Sequence, residues 1–311
     1  MKPRVLFITD VPGWSIDNYI YRLEPYLTNI KVEKYYIVPS LESIGQAFKC
    51  FKAPLPKADI YYFGSWWWYW EYIKSGQEPL KNVLIDVVDD YSWQLNPVEW
   101  ESTYSRATVL LTQSLECLHQ YPLAVFHPFP AEEKYFEPPL KSKLNLNGRN
   151  LVVGMIAGSF SHTGEDHKGV GLVKAVTDSM PGVDLLIAGI DKRCSFKDLI
   201  KFYKEIDVFV CCSKSEGFSS STVNASAIGV PIISTPVSPA EPFIGELGYW
   251  SLPDRKYGDK DIIDSLTFWF NSFGDESLTL FNKICHTRNV AGKWRAKLIA
   301  EKIERVIKGV I

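Results

Sequence analysis

The sequence predicts an α/β protein built on parallel sheets and divided into two units. Short apolar runs alternate with segments of helical periodicity from end to end, the pattern of strands joined by crossover helices. Between Phe136 and Asn150 that alternation breaks at Pro138-Pro139 and at Asn145-Leu146-Asn147-Gly148, as it does in an interdomain linker. A second alternating series restarts at Leu151. The expected division is 1–145, 150–290 and a terminal helix over 291–311, and 311 residues are enough for two ordinary domains.

In the first unit the expected strands are 4–9, 35–38, 59–63, 83–87, 108–111 and 123–126, with helices starting near Ile16 and Pro97. The run Arg4-Val5-Leu6-Phe7-Ile8-Thr9 is too short for a signal peptide and meets Asp10 at once, so it reads as a first strand. In the second unit strands fall at 151–156, 184–188, 206–212 and 230–234. From about Ala291 a helical pattern carries Trp294, Leu298, Ile299, Ile303, Val306 and Ile307 as an apolar stripe, flanked by Lys293, Arg295, Lys297, Lys302, Arg305 and Lys308. Two readings stand for it: a basic helix lying on anionic lipid, or a helix packed on protein.

Composition narrows the class. Apolar residues make up 46% and charged residues 23%, with a net charge of −2, which suits a globular protein with an ample core and argues against an extended nucleic-acid surface. No segment has the length of a membrane span. The six cysteines show no metal spacing and are read as reduced, which places the protein in the cytoplasm, with peripheral membrane contact as a further option.

The most informative stretch is Ser215-Glu216-Gly217-Phe218-Ser219-Ser220-Ser221-Thr222, which follows the apolar run 206–212 and precedes Gly229-Val230-Pro231-Ile232-Ile233-Ser234. The order is buried strand, carboxylate-bearing loop, short helix, buried strand. The loop delivers Glu216 beyond the carboxyl end of a strand, where open α/β sheets bind ligands. The Ser219–Thr222 amides open a helix and face an anion there. A carboxylate for sugar hydroxyls beside a phosphate cradle suits a nucleotide-sugar.

Together with His167-Lys168-Gly169, these motifs resemble the C-terminal half of GT-B glycosyltransferases, the retaining family 4 in particular. The resemblance covers the second unit well and the first loosely, through the Asp10–Trp14 loop and Phe126-His127-Pro128-Phe129-Pro130. It implies two Rossmann-like domains with a cleft between them and a C-terminal helix crossing back to the first. It also implies sugar transfer from a nucleotide-sugar to a hydroxyl acceptor, with retention and without a metal or other cofactor. Catalytically degenerate sugar-nucleotide binding, and sugar-nucleotide epimerisation, are the alternatives.

By the same resemblance Glu216 contacts the donor sugar, Lys168 neutralises the diphosphate, Gly217, Phe218, Ser219 and Ser220 border the donor, and Glu241 lies near the nucleotide. Three positions depart from the family's pattern. Asn224 stands where a Glu holds the ribose, Ser159 where an Arg assists the Lys, and Val88 where a His precedes the matching Asp89. Lys192 or Arg193 is the candidate substitute for the lost cation, in a 190–195 loop shorter than the family's. On the acceptor side stand Asp10, as orienting group, base or mere helix cap, with Gly13 and Trp14. Trp66 represents the aromatic run Phe63–Trp70, read either as a stacking platform or as packing. His162 and His167, with Glu165 and Asp166 between them, match no standard metal-ligand spacing, so no metal is expected.

Overall fold

The computed structural model describes residues 1–9, 12, 15–37, 51, 53–87, 96–113, 115–136, 146, 148–157, 166–189, 199–216, 218–237, 250–273 and 277–311. The chain divides into two compact units, one made of Met1–Pro130 with Trp294–Ile311, the other of Ala131–Lys293.

The first unit runs β1 (Arg4–Thr9), α1 (Ser15–Leu23), β2 (Lys31–Tyr36), β3 (Ile60–Phe63), α2 (Trp66–Lys74), β4 (Val83–Val87), α3 (Pro97–Tyr104), β5 (Val109–Thr112), α4 (Leu115–Gln120) and β6 (Val125–Phe126). All strands are parallel, in the order β2-β1-β3-β4-β5-β6. The chain steps outward from β1 to β2, then recrosses to β3, so the winding reverses between β1 and β3. Strands β3 and β4 are buried at every position, which is why they read as apolar runs, interrupted in β4 only by Asp86. Strand β2 differs from its expected place at 35–38. It is an edge strand whose Lys31, Glu33 and Lys34 hide its first half from an apolar search, and Glu33 pairs with Arg4 of β1 at 2.9 Å.

One buried polar network crosses the carboxyl ends of these strands. The Asp86 carboxylate meets His127 Nε2 at 3.0 Å and accepts from Tyr62 Oη at 3.0 Å and Gln113 Nε2 at 3.2 Å. Tyr19 Oη meets His127 Nδ1 at 2.7 Å. Burial, then the Asp86 charge, pushes both tyrosines well above their ordinary range.

The second unit runs β7 (Leu151–Ile156), α5 (Val170–Ser179), β8 (Val183–Ala188), α6 (Leu199–Glu205), β9 (Val208–Cys211), α7 (Ser220–Ile228), β10 (Ile232–Ser234), β11 (Trp250–Ser251), α8 (Asp259–Ser272) and α9 (Ser277–Gly292). Its sheet is also parallel, in the order β11-β10-β9-β7-β8. Here the winding reverses between β7 and β9. A bidentate Arg149–Asp207 pair, both bonds 2.6 Å, ties the start of β7 to the turn before β9, and Val152 N donates to the same carboxylate at 2.9 Å.

The terminal pattern is two helices, not one from Ala291. Helix α9 ends at Gly292, and α10 (Ala296–Val310) begins after the break at Lys293–Arg295. Helix α10 belongs to the first unit and packs on α1 and the 3-10 turn Glu24–Tyr26. Ile299, Ile303 and Ile307 are buried together with Ala296 and Ala300, while Leu298 points outward at 46% exposure. Buried Glu304 accepts from Asn29 N at 2.7 Å and from Asn29 Nδ2 at 2.5 Å. The apolar face of α10 is thus covered by protein, which removes the lipid-lying reading of that face. Among the described residues no helix is long and apolar enough to cross a membrane.

Candidate functional site

Strands β7 and β9 are neighbours on either side of the winding reversal in the second sheet, and open α/β sheets bind ligands beyond the carboxyl ends of such strands. The chain after β7 arrives there at Asp166–Gly169, and the chain after β9 at Cys212–Ser219. Two bonds stitch these segments together: Lys214 N donates to His167 O at 2.9 Å, and His167 Nε2 meets Ser215 O at 2.8 Å. Gly169 has φ +73°, and its Cα lies so near Cys212 that a Cβ would come within 2.4 Å of the Cys212 carbonyl oxygen. Glycine alone accepts both conditions.

This stitching brings Lys168 and Glu216 together. Lys168 Nζ donates to Glu216 Oε1, and Ser213 Oγ donates to the same oxygen at 2.6 Å. The Glu216 side chain is 15% exposed and that of Lys168 39%, so the pair is reachable from solvent and partly screened by it. A cation and a carboxylate, held on separate loops, can each be redirected to an incoming ligand.

The two helix ends at the site behave differently. At α5, Asp166 already supplies the anion, its two oxygens accepting from Val170 N and Gly171 N at 2.7 Å each. At α7, two of the amides expected to face an anion are engaged internally: Ser220 N donates to Phe218 O at 2.8 Å and Thr222 N to Ser219 O at 3.1 Å. Ser219 is 3% exposed, and its hydroxyl lies 2.5 Å from Thr222 Oγ1 and 3.2 Å from Ser221 Oγ. That knot of short side chains turns the first turn of α7 inward.

Asn224 lies in the middle of α7 at 1% exposure. Residues Thr222–Ile228 of that helix are all buried, so the amide is enclosed and offers nothing to a ribose in this form. Trp66 needs a plainer correction. At 0% exposure it lies in the first unit's core, its ring edge-to-face with Trp67 at 5.3 Å and Trp100 at 5.6 Å, and it presents no face to an acceptor. Asp10, Gly13, Trp14, Val88, Asp89, Ser159, His162, Glu165, Lys192, Arg193, Gly217 and Glu241 lie outside the described residues.

Sequence reasoning missed Ser213, and it weighed Asp166 only as a metal ligand, not as the cap of α5. The spacing of Asp166 to Val170 just ahead of an apolar helix was a usable cap signal; nothing marked Ser213 beyond its nearness to Glu216. Beneath the site, burial raises the Cys211 thiol and pushes the Cys212 thiol up to about 12, so both stay protonated. Among the described residues no cluster of His, Cys, Asp and Glu is placed to hold a metal ion. A cavity of about 850 Å³ lies elsewhere, along α5 and the edge strand β8, lined in part by Asn150, Lys174, Asp178 and Leu185.

Residues 168–251, which begin at this lysine, match the family described as Glycosyl transferases group 1. No curated protein matches the chain. Among solved structures, sucrose-phosphate synthase from Thermosynechococcus elongatus is similar at 14% identity and TM-score 0.73, over 98% of each chain. Anabaena Alr3699/HepE in complex with UDP-glucose is similar at 12% identity and TM-score 0.68, over 99% of this chain and 100% of that one. WaaG, a glycosyltransferase involved in lipopolysaccharide biosynthesis, is similar at 11% identity and TM-score 0.62, over 98% of this chain and 100% of that one. At these identities the likeness establishes the fold, which is GT-B. That fold, with the matched segment, supports a GT-B glycosyltransferase.

Proposed function

We propose that this protein transfers a sugar from a nucleotide-sugar donor to a hydroxyl acceptor, with retention of anomeric configuration and without a metal. One observation carries the reading: Lys168 and Glu216 meet at the carboxyl ends of the two strands flanking the winding reversal. In the unloaded site they neutralise each other. When a donor enters, Lys168 turns to its diphosphate, and Glu216, still held by Ser213, accepts from hydroxyls of the donor sugar.

As the glycosidic bond breaks, negative charge grows on the departing diphosphate, and a cation fixed beside it lowers the barrier by about 3 kcal/mol. The acceptor hydroxyl attacks on the face the diphosphate leaves, and the diphosphate takes the hydroxyl proton. Positioning does the rest of the work, so no protein base is required. The complexes of Alr3699/HepE with UDP and with UDP-glucose support a uridine donor as the first to try. The second reading, a GT-B protein that binds a nucleotide-sugar without turning it over, draws on the departures from the family's pattern at Asn224, Ser159 and Val88.

The test is a thermal-shift screen against UDP-, GDP-, ADP- and dTDP-sugars and the free nucleotides, with Glu216→Ala and Lys168→Ala alongside. A ligand that binds only the folded state raises the melting temperature. One nucleotide class should do so in the native protein and less in both variants, and EDTA should leave the shift unchanged. Binding without release of free nucleotide in the presence of acceptors would favour the second reading. No shift with any donor would sink both.

A further inference from the structure

We infer that Arg255 is a positioning residue for this site: its guanidinium fastens the segment bearing Lys168 to the segment bearing Glu216. The catalytic consequence rests on the proposed donor site; the fastening itself rests on geometry alone. Arg255 opens the 3-10 turn Arg255–Tyr257, between β11 and α8, beyond the segment matched by the glycosyltransferase family. Its side chain is 4% exposed. Nη1 donates to Asp166 O at 2.7 Å, to His167 O at 3.2 Å and to Cys212 O at 3.3 Å. Asp166 and His167 lead directly into Lys168, and Cys212 leads into Ser213, whose hydroxyl holds Glu216. One cation therefore grips the backbone just ahead of both functional side chains.

The chemistry explains why an arginine stands here. Three carbonyl oxygens from two segments converge on one point, and their negative ends repel unless a donor lies between them. Asp166 O and His167 O also accept from Gly169 N at 3.2 Å and from Lys214 N at 2.9 Å, so the guanidinium adds a second donor to each and joins them to Cys212 O. The three carbonyls share the two N–H groups of Nη1, while Nη2 of the same planar, rigid guanidinium faces Asp259. Asp259 Oδ1, at 3.7 Å from Nη2, balances part of the charge. The same grip lies beside the Gly169–Cys212 contact and the Lys214–His167 bond, so all three restrain the same pair of segments. Loss of the guanidinium would free Lys168 and Glu216 to wander relative to each other, and electrostatic stabilisation of a transition state is sensitive to that.

The experiment uses the full chain with Arg255→Met, which keeps the apolar stem, and Arg255→Lys, which keeps a charge without the fork. Amide exchange at Gly169 and Lys214 is read by NMR or mass spectrometry beside the melting temperature and donor kinetics. Arg255→Met should lose on the order of tenfold protection at these two amides while amides in β7 and β9 keep theirs, and its kcat should fall more than its KM rises. Arg255→Lys should lie between Met and the native protein on both measures. Native-like protection at Gly169 and Lys214 in Arg255→Met overturns the inference, as does a uniform loss across the unit, which marks general destabilisation. If the Met variant does not fold, Arg255→Lys decides: native protection in it overturns the inference. A native protein that binds no nucleotide refutes the proposed function, and the exchange comparison still decides the fastening.

Discussion

Replacing Gly169 by alanine puts a methyl group where the Cys212 backbone already is. The new Cβ would lie 2.4 Å from Cys212 O, 2.8 Å from its Cβ and 2.9 Å from its Sγ. Two costs add. A side chain held at φ +73° pays about 1–2 kcal/mol for the left-handed conformation. Pushing the neighbouring segment away costs a further 1–3 kcal/mol or so, typical of overpacking. Gly182 separates the two costs, because it has φ +82° and its nearest neighbour, Asn150 Oδ1, is 4.0 Å from a built Cβ. At roughly 2–4 °C per kcal/mol for a domain of this size, Gly169→Ala should lower the melting temperature by about 10 °C and Gly182→Ala by about 4 °C. Calorimetry of the three proteins decides it. The contact also sets Lys168, so Gly169→Ala should weaken nucleotide binding at least about tenfold, roughly 1.4 kcal/mol, and Gly182→Ala should not. Equal losses of stability in the two variants would refute the steric argument and leave only backbone strain.

Three further outcomes are expected. Tyr19 and Tyr62 are held protonated well above their ordinary value of 10.0. Folded chains then keep protons that unfolded ones release, so stability is full below about pH 10 and falls as pH rises beyond it. Urea unfolding between pH 8 and 11 should show that slope, shallower in Tyr62→Phe, and a flat profile would contradict it. Glu304→Ala removes both bonds to Asn29 and should cost roughly 2–3 kcal/mol, seen as early proteolysis within α10; unchanged resistance there would count against the tie. Maleimide labelling mapped by mass spectrometry should modify Cys285, which is exposed, and reach Cys117, Cys211 and Cys212 only in denaturant. Native labelling of Cys212 would show that its burial is wrong.

The strands were legible because parallel strands are covered on both faces and so spell continuous apolar runs. Strand β2 escaped in part because an edge strand can carry Lys31, Glu33 and Lys34. Helices α8 and α9 were overlooked although α8 had a signal: Asp259 and Asp261 in its first turn, then Ile262, Leu266 and Phe270 at helical spacing, all three buried. At the site, Glu216 and Lys168 could be singled out because each lies in a recognisable motif. Arg255 could not, since its partners are backbone carbonyls, which every residue owns and no pattern announces. Trp66 and Asn224 failed as candidates for a shared reason. Their side chains suit ligands equally well wherever they point, and only the packing around α2 and α7 turns them inward.

The first unit is completed by residues that come after the whole of the second. Asn29 and Glu304 touch, yet stand 275 positions apart along the chain. During synthesis the opening 130 residues leave the ribosome without the helix that later covers α1, so their apolar surface must wait, uncovered, while the second unit is made. Closure over such a span is slow and late, and a partly built unit is the species most prone to stick to its neighbours. Cutting the chain ahead of α10 therefore disturbs the unit that Met1–Pro130 begins, although the cut lies about 160 residues further on.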